Sequence, residues 1–128
     1  MANYNVPENL KYTTTHEWAK IEGDVCTVGI SDFAQQSLGD IVFIDLPSVG
    51  KDVKQGQDAG SIESAKAVSE LKMPVSGKII EVNKVLGDAP DTANKSCYAD
   101  GWFVKIKMSA PVEASKLLDA KAYKPLCK

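Results

Sequence analysis

Arginine is missing from this chain: all fifteen of its basic side chains are lysine. The planar fork that grips phosphate or carboxylate through paired hydrogen bonds is therefore unavailable, which argues against a nucleotide or nucleic-acid site. No glycine-rich phosphate loop offsets the lack. A net charge of −2 and a sequence pI near 5.4 add no electrostatic pull toward polyanions or an anionic membrane. Histidine occurs once, as His16, and one imidazole without a paired cysteine, serine or ligand set supports structure rather than catalysis. Cysteine occurs three times, an odd number without Cys-x-x-Cys spacing, which excludes a disulfide framework and a recognisable metal site. Cys26 alternates with Val28 and Ile30 and is expected in the core, whereas Cys97 and Cys127 are expected to be more exposed. No apolar stretch approaches membrane-spanning length, and Met1 to Glu8 lacks the basic start and apolar run of a signal peptide. A cytoplasmic protein with neither nucleic-acid nor membrane partners is the resulting expectation.

What the chain does have is short strands. At 128 residues it is expected to form one domain, residues 1–128, with a β core over 10–108 and a helical tail over 111–127. Tyr12 to Thr15 and Trp18 to Ile21 read as extended, Glu22-Gly23-Asp24 as a turn, and Val25 to Ile30 as a β-branched strand. Ser31-Asp32 caps a short helix from Phe33 to Leu38, which Gly39 stops. Ile41 to Leu46 reads as a buried strand ended by Pro47, and Lys78 to Val82 as another. Asn83 to Gly101 reads as a long irregular connection, and Trp102 to Met108 as a strand that turns Trp102, Val104, Ile106 and Met108 inward. In the tail, Pro111 with Ala114, Leu117 and Leu118 predicts one or two short helices. Strands without crossover helices predict an antiparallel β-sandwich or flattened barrel.

Lys66 lies in Glu63-Ser64-Ala65-Lys66-Ala67-Val68-Ser69-Glu70, with Gly56 ten residues before it and Gly77 eleven after. That symmetry predicts a lysine displayed at the tip of a hairpin, a handle for covalent attachment. Ala65 and Ala67 leave its amine unobstructed. A biotin-carrying hairpin normally flanks its lysine with methionines; here the nearest Lys-Met pair is Lys72-Met73, which Pro74 pushes to the base of the second strand. Lys72 is read as a solvated surface lysine.

Several segments carry a resemblance: Tyr12 to Trp18 with His16-Glu17-Trp18, Glu22-Gly23-Asp24, Val28 to Gln35, Leu38 to Phe43, Asp45-Leu46-Pro47, Glu63 to Ala67, Pro74 to Gly77, Glu81-Val82-Asn83 and Gly101-Trp102. In order, over residues 10–107, they resemble the H protein of the glycine cleavage system, and concatenated motifs are far more specific than any single one. The resemblance implies a mainly β fold, an antiparallel barrel-sandwich hybrid of the lipoyl/biotinyl-domain kind with a short internal helix and C-terminal helices. It implies that lipoate is attached covalently to Lys66 by a lipoate ligase or a lipoyl/octanoyl transferase, and that the protein is a shuttle rather than an enzyme. The implied partners are a pyridoxal-phosphate glycine decarboxylase that loads the arm with an aminomethyl group, a tetrahydrofolate-dependent aminomethyltransferase that unloads it, and a dihydrolipoamide dehydrogenase, with FAD and NAD, that reoxidises it.

A loaded arm exposed to water decomposes, so parking it against the protein protects it, and its protonated amine needs an acceptor. Glu17 is the first candidate for that contact, with Thr15 and Glu70 behind it; the alternative is two solvated carboxylates and a strand hydroxyl. Glu63 and Glu70 beside the tip are candidates for guiding the lipoylating enzyme. The chain departs from the family pattern at Cys97, where a proline usually precedes the tyrosine, and this predicts a more mobile loop with an oxidisable thiol. Lys72 and Phe33 also stand where the family usually has other residue types. Two rival functions stay open at this level. One is a lipoyl relay serving 2-oxoacid dehydrogenase complexes; the other is biotin carriage, which the missing methionines disfavour. No constellation of acid, base and nucleophile supports an enzyme.

Overall fold

A tight turn between two largely buried strands sets the first hairpin. The computed structural model describes residues 4–127. Strands β1 (Lys11–Tyr12), β2 (Glu17–Glu22) and β3 (Val25–Ile30) are antiparallel, with Ala19 opposite Val28 and Glu22 opposite Val25 across Gly23-Asp24. Gly23 takes a φ of 63°, the left-handed conformation such a turn requires. Trp18 lies opposite Gly29, and a Cβ on Gly29 would fall 2.5 Å from the indole, so only glycine admits the ring there. Helix α1 (Asp32–Leu38) begins where the Ser31 hydroxyl accepts the Ala34 N–H at 3.1 Å and ends where the Gly39 N–H donates to the Gln35 carbonyl at 3.0 Å.

The chain continues through β4 (Ile41–Asp45), β5 (Asp52–Val53), β6 (Asp58–Ser64), β7 (Val68–Lys72) and β8 (Gly77–Val82). One-turn helices α2 (Val85–Asp88) and α3 (Thr92–Lys95) lead to β9 (Val104–Met108). Two sheets result, a six-stranded one in the order β1-β2-β3-β9-β8-β5 and a three-stranded one in the order β4-β6-β7, all antiparallel. Between them Val28, Ile44, Ile62, Leu71, Ile79 and Ile106 form the main core. A second cluster at one end joins Leu10, Tyr12 and Trp18 to Ala120 and Tyr123 of α4 (Ala120–Tyr123).

Several expectations are corrected. Thr13 to Thr15 is not strand: β1 stops at Tyr12, the chain turns, and His16 takes a φ of 75°. The turn closes on itself: the Thr13 N–H donates to the Glu17 carbonyl, the His16 N–H to the Thr13 carbonyl, and the Glu17 N–H to the Thr13 hydroxyl. The connection from Asn83 to Gly101 is ordered by α2 and α3. The Asn94 amide donates to the Gly39 carbonyl at 2.8 Å and its oxygen accepts the Ile41 N–H at 2.9 Å. Cys97 is buried, its carbonyl accepts the Trp18 indole N–H at 2.8 Å, and burial pushes its thiol up to about 12. The exposed, oxidisable thiol expected there is absent. Phe103 points into the core, while Trp102 is half-buried beneath the Lys105 ammonium, 5.1 Å from the ring centroid. In the tail a 3₁₀ turn (Pro111–Lys116) ends before Leu117, and Leu118 exchanges both backbone hydrogen bonds with Tyr12 rather than continuing a helix.

Candidate functional site

β6 and β7 form the hairpin that carries Lys66. Glu63 lies opposite Val68, which leaves the four residues Ser64-Ala65-Lys66-Ala67 as its tip. Ser64 fixes this turn with one side chain. Its hydroxyl accepts the Lys66 N–H at 3.3 Å and the Ala67 N–H at 3.1 Å, and lies 3.2 Å from the Ala67 carbonyl, to which it can donate. The backbone adds two bonds, Ser64 N–H to the Ala67 carbonyl at 2.8 Å and Ala65 N–H to the Asp40 carbonyl at 3.3 Å. The stem of the exposed Lys66 passes over Gly39, where a Cβ would lie 3.5 Å from Lys66 Cε. The helix stop and the lysine are thus neighbours in space. Sequence reasoning found Lys66 but not Ser64, although serine opening a four-residue turn is the signal that marks it.

The hairpin's base is held by different chemistry. Lys72 ends β7, pairs with Asp58 across the strands, and is held above its ordinary value first by that bond. It is a surface lysine, as the sequence predicts, and an ion-paired one. Its backbone N–H donates to Glu17 Oε2 at 3.3 Å, which links the two sheets. Glu17 is only 2 % exposed, so it is not a solvated carboxylate. Its Oε1 accepts the Thr13 hydroxyl at 2.7 Å and also the Thr15 hydroxyl. Burial pushes its carboxyl above the ordinary carboxylate range, and these hydrogen bonds pull the other way without cancelling it. The structure therefore brings Thr15 and Glu17 together and joins them to β7. Beside them Thr13, Thr14, Thr15, Lys72, Met73 and Leu118 line part of a cleft of about 350 Å³. Glu70 stands exposed on the outer face of β7, opposite Ser61. From Val68 to Lys72 the strand spans about 13 Å at roughly 3.3 Å per residue, so the Thr15–Glu17 pair and the lysine tip lie toward opposite ends of β7.

His16 is structural. Its Nδ1 lies 2.7 Å from the Tyr123 hydroxyl, which also meets Ser31 Oγ at 2.7 Å, and its ring packs against Phe33 at 4.6 Å. Burial holds its imidazole below the ordinary value. Among the described residues no group of three or more His, Cys, Asp or Glu could hold a metal, and no helix is long and apolar enough to cross a membrane.

Two antiparallel sheets folded around a hairpin that displays one lysine define a barrel-sandwich of the lipoyl-domain kind. A crystal structure of a glycine cleavage system H protein from Mycobacterium marinum superposes with a TM-score of 0.87 at 39 % identity, covering 94 % of this chain and 97 % of that one. Glycine cleavage system H proteins of Anaeromyxobacter sp. (strain K) and Bacteroides thetaiotaomicron are 54 % and 48 % identical to it, over 93 % and 94 % of this chain and 93 % and 95 % of theirs. The family model for the glycine cleavage H-protein matches residues 10–128. The chain belongs to the glycine cleavage H-protein family.

Proposed function

We propose that Lys66 bears lipoate in amide linkage and that the chain works as a non-catalytic carrier of the glycine cleavage system. One observation carries the reading: an exposed lysine, flanked by two alanines, on a four-residue tip whose backbone is pinned by Ser64. The residues fit the group. Nothing bulky stands beside the amine, and a fixed tip gives a long arm a defined origin, which raises the effective concentration of its end at a partner's active site. The bound lipoyl disulfide supplies the acceptor for an aminomethyl group from a glycine decarboxylase, for delivery to a tetrahydrofolate-dependent aminomethyltransferase and reoxidation by dihydrolipoamide dehydrogenase.

The chain's own part is to hold, orient and shield. Thr15, Glu17 and Glu70 are the residues proposed to receive a cationic group brought back along β7. A carboxylate already gathered by two threonine hydroxyls and held out of water is a preorganised acceptor for an ammonium, and a hydrogen bond to a charged partner is worth about 1.5–3 kcal/mol. Intact mass and peptide mapping after incubation with lipoate, ATP and a lipoate ligase test the attachment, with Lys66→Ala in parallel. A single lipoyl increment on the Lys66 peptide, absent in the variant, is the expected result. An increment on another lysine, or none, leaves the family membership standing and removes the carrier reading.

A further inference from the structure

Strand β4 departs from simple in-out alternation. Ile41 pairs with Ser64 and Phe43 with Glu63, so Val42 is an extra residue, a β-bulge in the strand beside the lysine hairpin. The sequence reads Ile41 to Leu46 as buried, yet only Ile41 and Ile44 face the core among residues 41–45. Val42 and Phe43 are 56 % and 52 % exposed. Phe43, Glu63 and Val68 are direct cross-strand neighbours and share the outer face of the sheet, where Val68 is 65 % exposed. The next row on that face is Asp45, Ser61 and Glu70. None of Asp45, Glu63 and Glu70 has an ion-pair partner among the described residues. Two adjacent apolar side chains turned outward, a third across the sheet and three unpaired carboxylates make a surface suited to a partner rather than to water.

We propose that the Val42–Phe43 bulge, with Val68, is the surface on which the lipoate-attaching enzyme docks when it modifies Lys66, presenting an apolar recess for Phe43 rimmed by basic side chains. This rests on the carrier reading. The choice of partner follows from reach. Enzymes that use a finished lipoyl arm meet its far end, whereas the attaching enzyme must reach an amine on a four-carbon stem, so its surface closes on the hairpin itself. Phe43 and Val68 are two strands apart, about 10 Å at about 4.8 Å per strand. A standard interface covers about 800 Å² per partner, a disc about 30 Å across, and centred on Lys66 it takes in the whole row. Chemically, Nζ displaces AMP from the lipoyl adenylate that the enzyme makes from lipoate and ATP; an amide forms, one proton leaves, and no electrons change hands.

The test is steady-state lipoylation of the full chain by a lipoate ligase with lipoate and ATP, comparing Phe43→Ser, Val42→Ser and Val68→Ser with the parent and with Val112→Ser, an exposed apolar residue of the tail. Phe43→Ser is expected to raise KM for the chain about tenfold with kcat within about twofold, Val42→Ser and Val68→Ser to act in the same direction, and Val112→Ser to match the parent. Thermal melts accompany each variant, and if Phe43→Ser is destabilised, Val68→Ser on the opposite edge strand decides. KM values within about twofold of the parent overturn the proposal. So does an unchanged ligase KM accompanied by slower glycine decarboxylase exchange in the lipoylated variants, which would assign the face to that enzyme. A parent that the ligase does not modify at all removes the carrier reading itself, an outcome distinct from both.

Discussion

Ser64 shows how much one short side chain can fix. Its hydroxyl engages the Lys66 and Ala67 amides and faces the Ala67 carbonyl, in a turn where the backbone contributes only two further bonds. Replacing it by alanine leaves the fold's core untouched but frees the amides that hold the lysine. Ser64→Ala is expected to speed hydrogen exchange at Lys66 and Ala67 relative to the rest of the hairpin and to lower stability by about 1 kcal/mol, the usual net worth of an exchangeable hydrogen bond. Unchanged exchange at both positions would mean that the Ser64–Ala67 and Ala65–Asp40 backbone bonds suffice. Beyond the hairpin, Gly77 at the start of β8 is equally constrained, because a Cβ there would lie 2.0 Å from the Lys107 carbonyl oxygen. β8 and β9 can approach this closely only without a side chain at that point.

At the scale of elements, the tail contributes through Tyr123 rather than through its helical turns. The ring stacks on Tyr12 with centroids 4.5 Å apart and an interplanar angle of 6°, and its hydroxyl joins Ser31 to His16. One residue of α4 thus ties together β1, the cap of α1 and the turn before β2. Tyr123→Phe keeps the stack and deletes the junction, so His16 Nδ1 is left without its partner while Ser31 still accepts the Ala34 N–H. A loss of about 1–3 kcal/mol is expected in denaturant unfolding, with lipoylation of Lys66 unchanged because the hairpin lies in the other sheet. Elements whose determinants are local were legible in the sequence: the β2–β3 turn from Gly23, α1 from Ser31 and Gly39, and the Lys66 hairpin from its flanking strands. Elements decided by distant partners were not. The Thr13–Thr15 turn depends on the buried Glu17 carboxylate, the Leu118 bridge on Tyr12, and the outward Phe43 on a bulge that β-branched composition cannot signal. The site divided along the same line, since the lysine is a local feature, whereas the burial of Glu17 and the junction with Lys72 needed both sheets in place.

For the whole molecule, two titratable groups, the half-buried His16 and the buried Glu17, act in opposite senses between acid and neutral pH. His16 is held below its ordinary value of 6.5, so the folded state favours the neutral ring. Its contribution is present above that value and is lost as pH falls through the folded pKa. Glu17 is held above its ordinary value of 4.5, so the folded state binds its proton more tightly than the unfolded chain does. Its contribution is full below 4.5 and is lost as pH rises through the folded pKa. Glu17→Gln isolates the second effect. The amide oxygen can keep the Lys72 N–H while its NH₂ donates to the threonine hydroxyls, so the variant retains the junction without a charge to desolvate. Stability of Glu17→Gln relative to the parent is therefore expected to increase from about pH 4 to about pH 7, measured as the difference in denaturant midpoint across that range. A difference that stays constant means that Glu17 ionises as readily in the fold as outside it. Glu17 would then be no desolvated acceptor, and the argument for a cationic group held beside Thr15 would lose its electrostatic basis, while the case for attachment at Lys66 would stand on the hairpin tip alone.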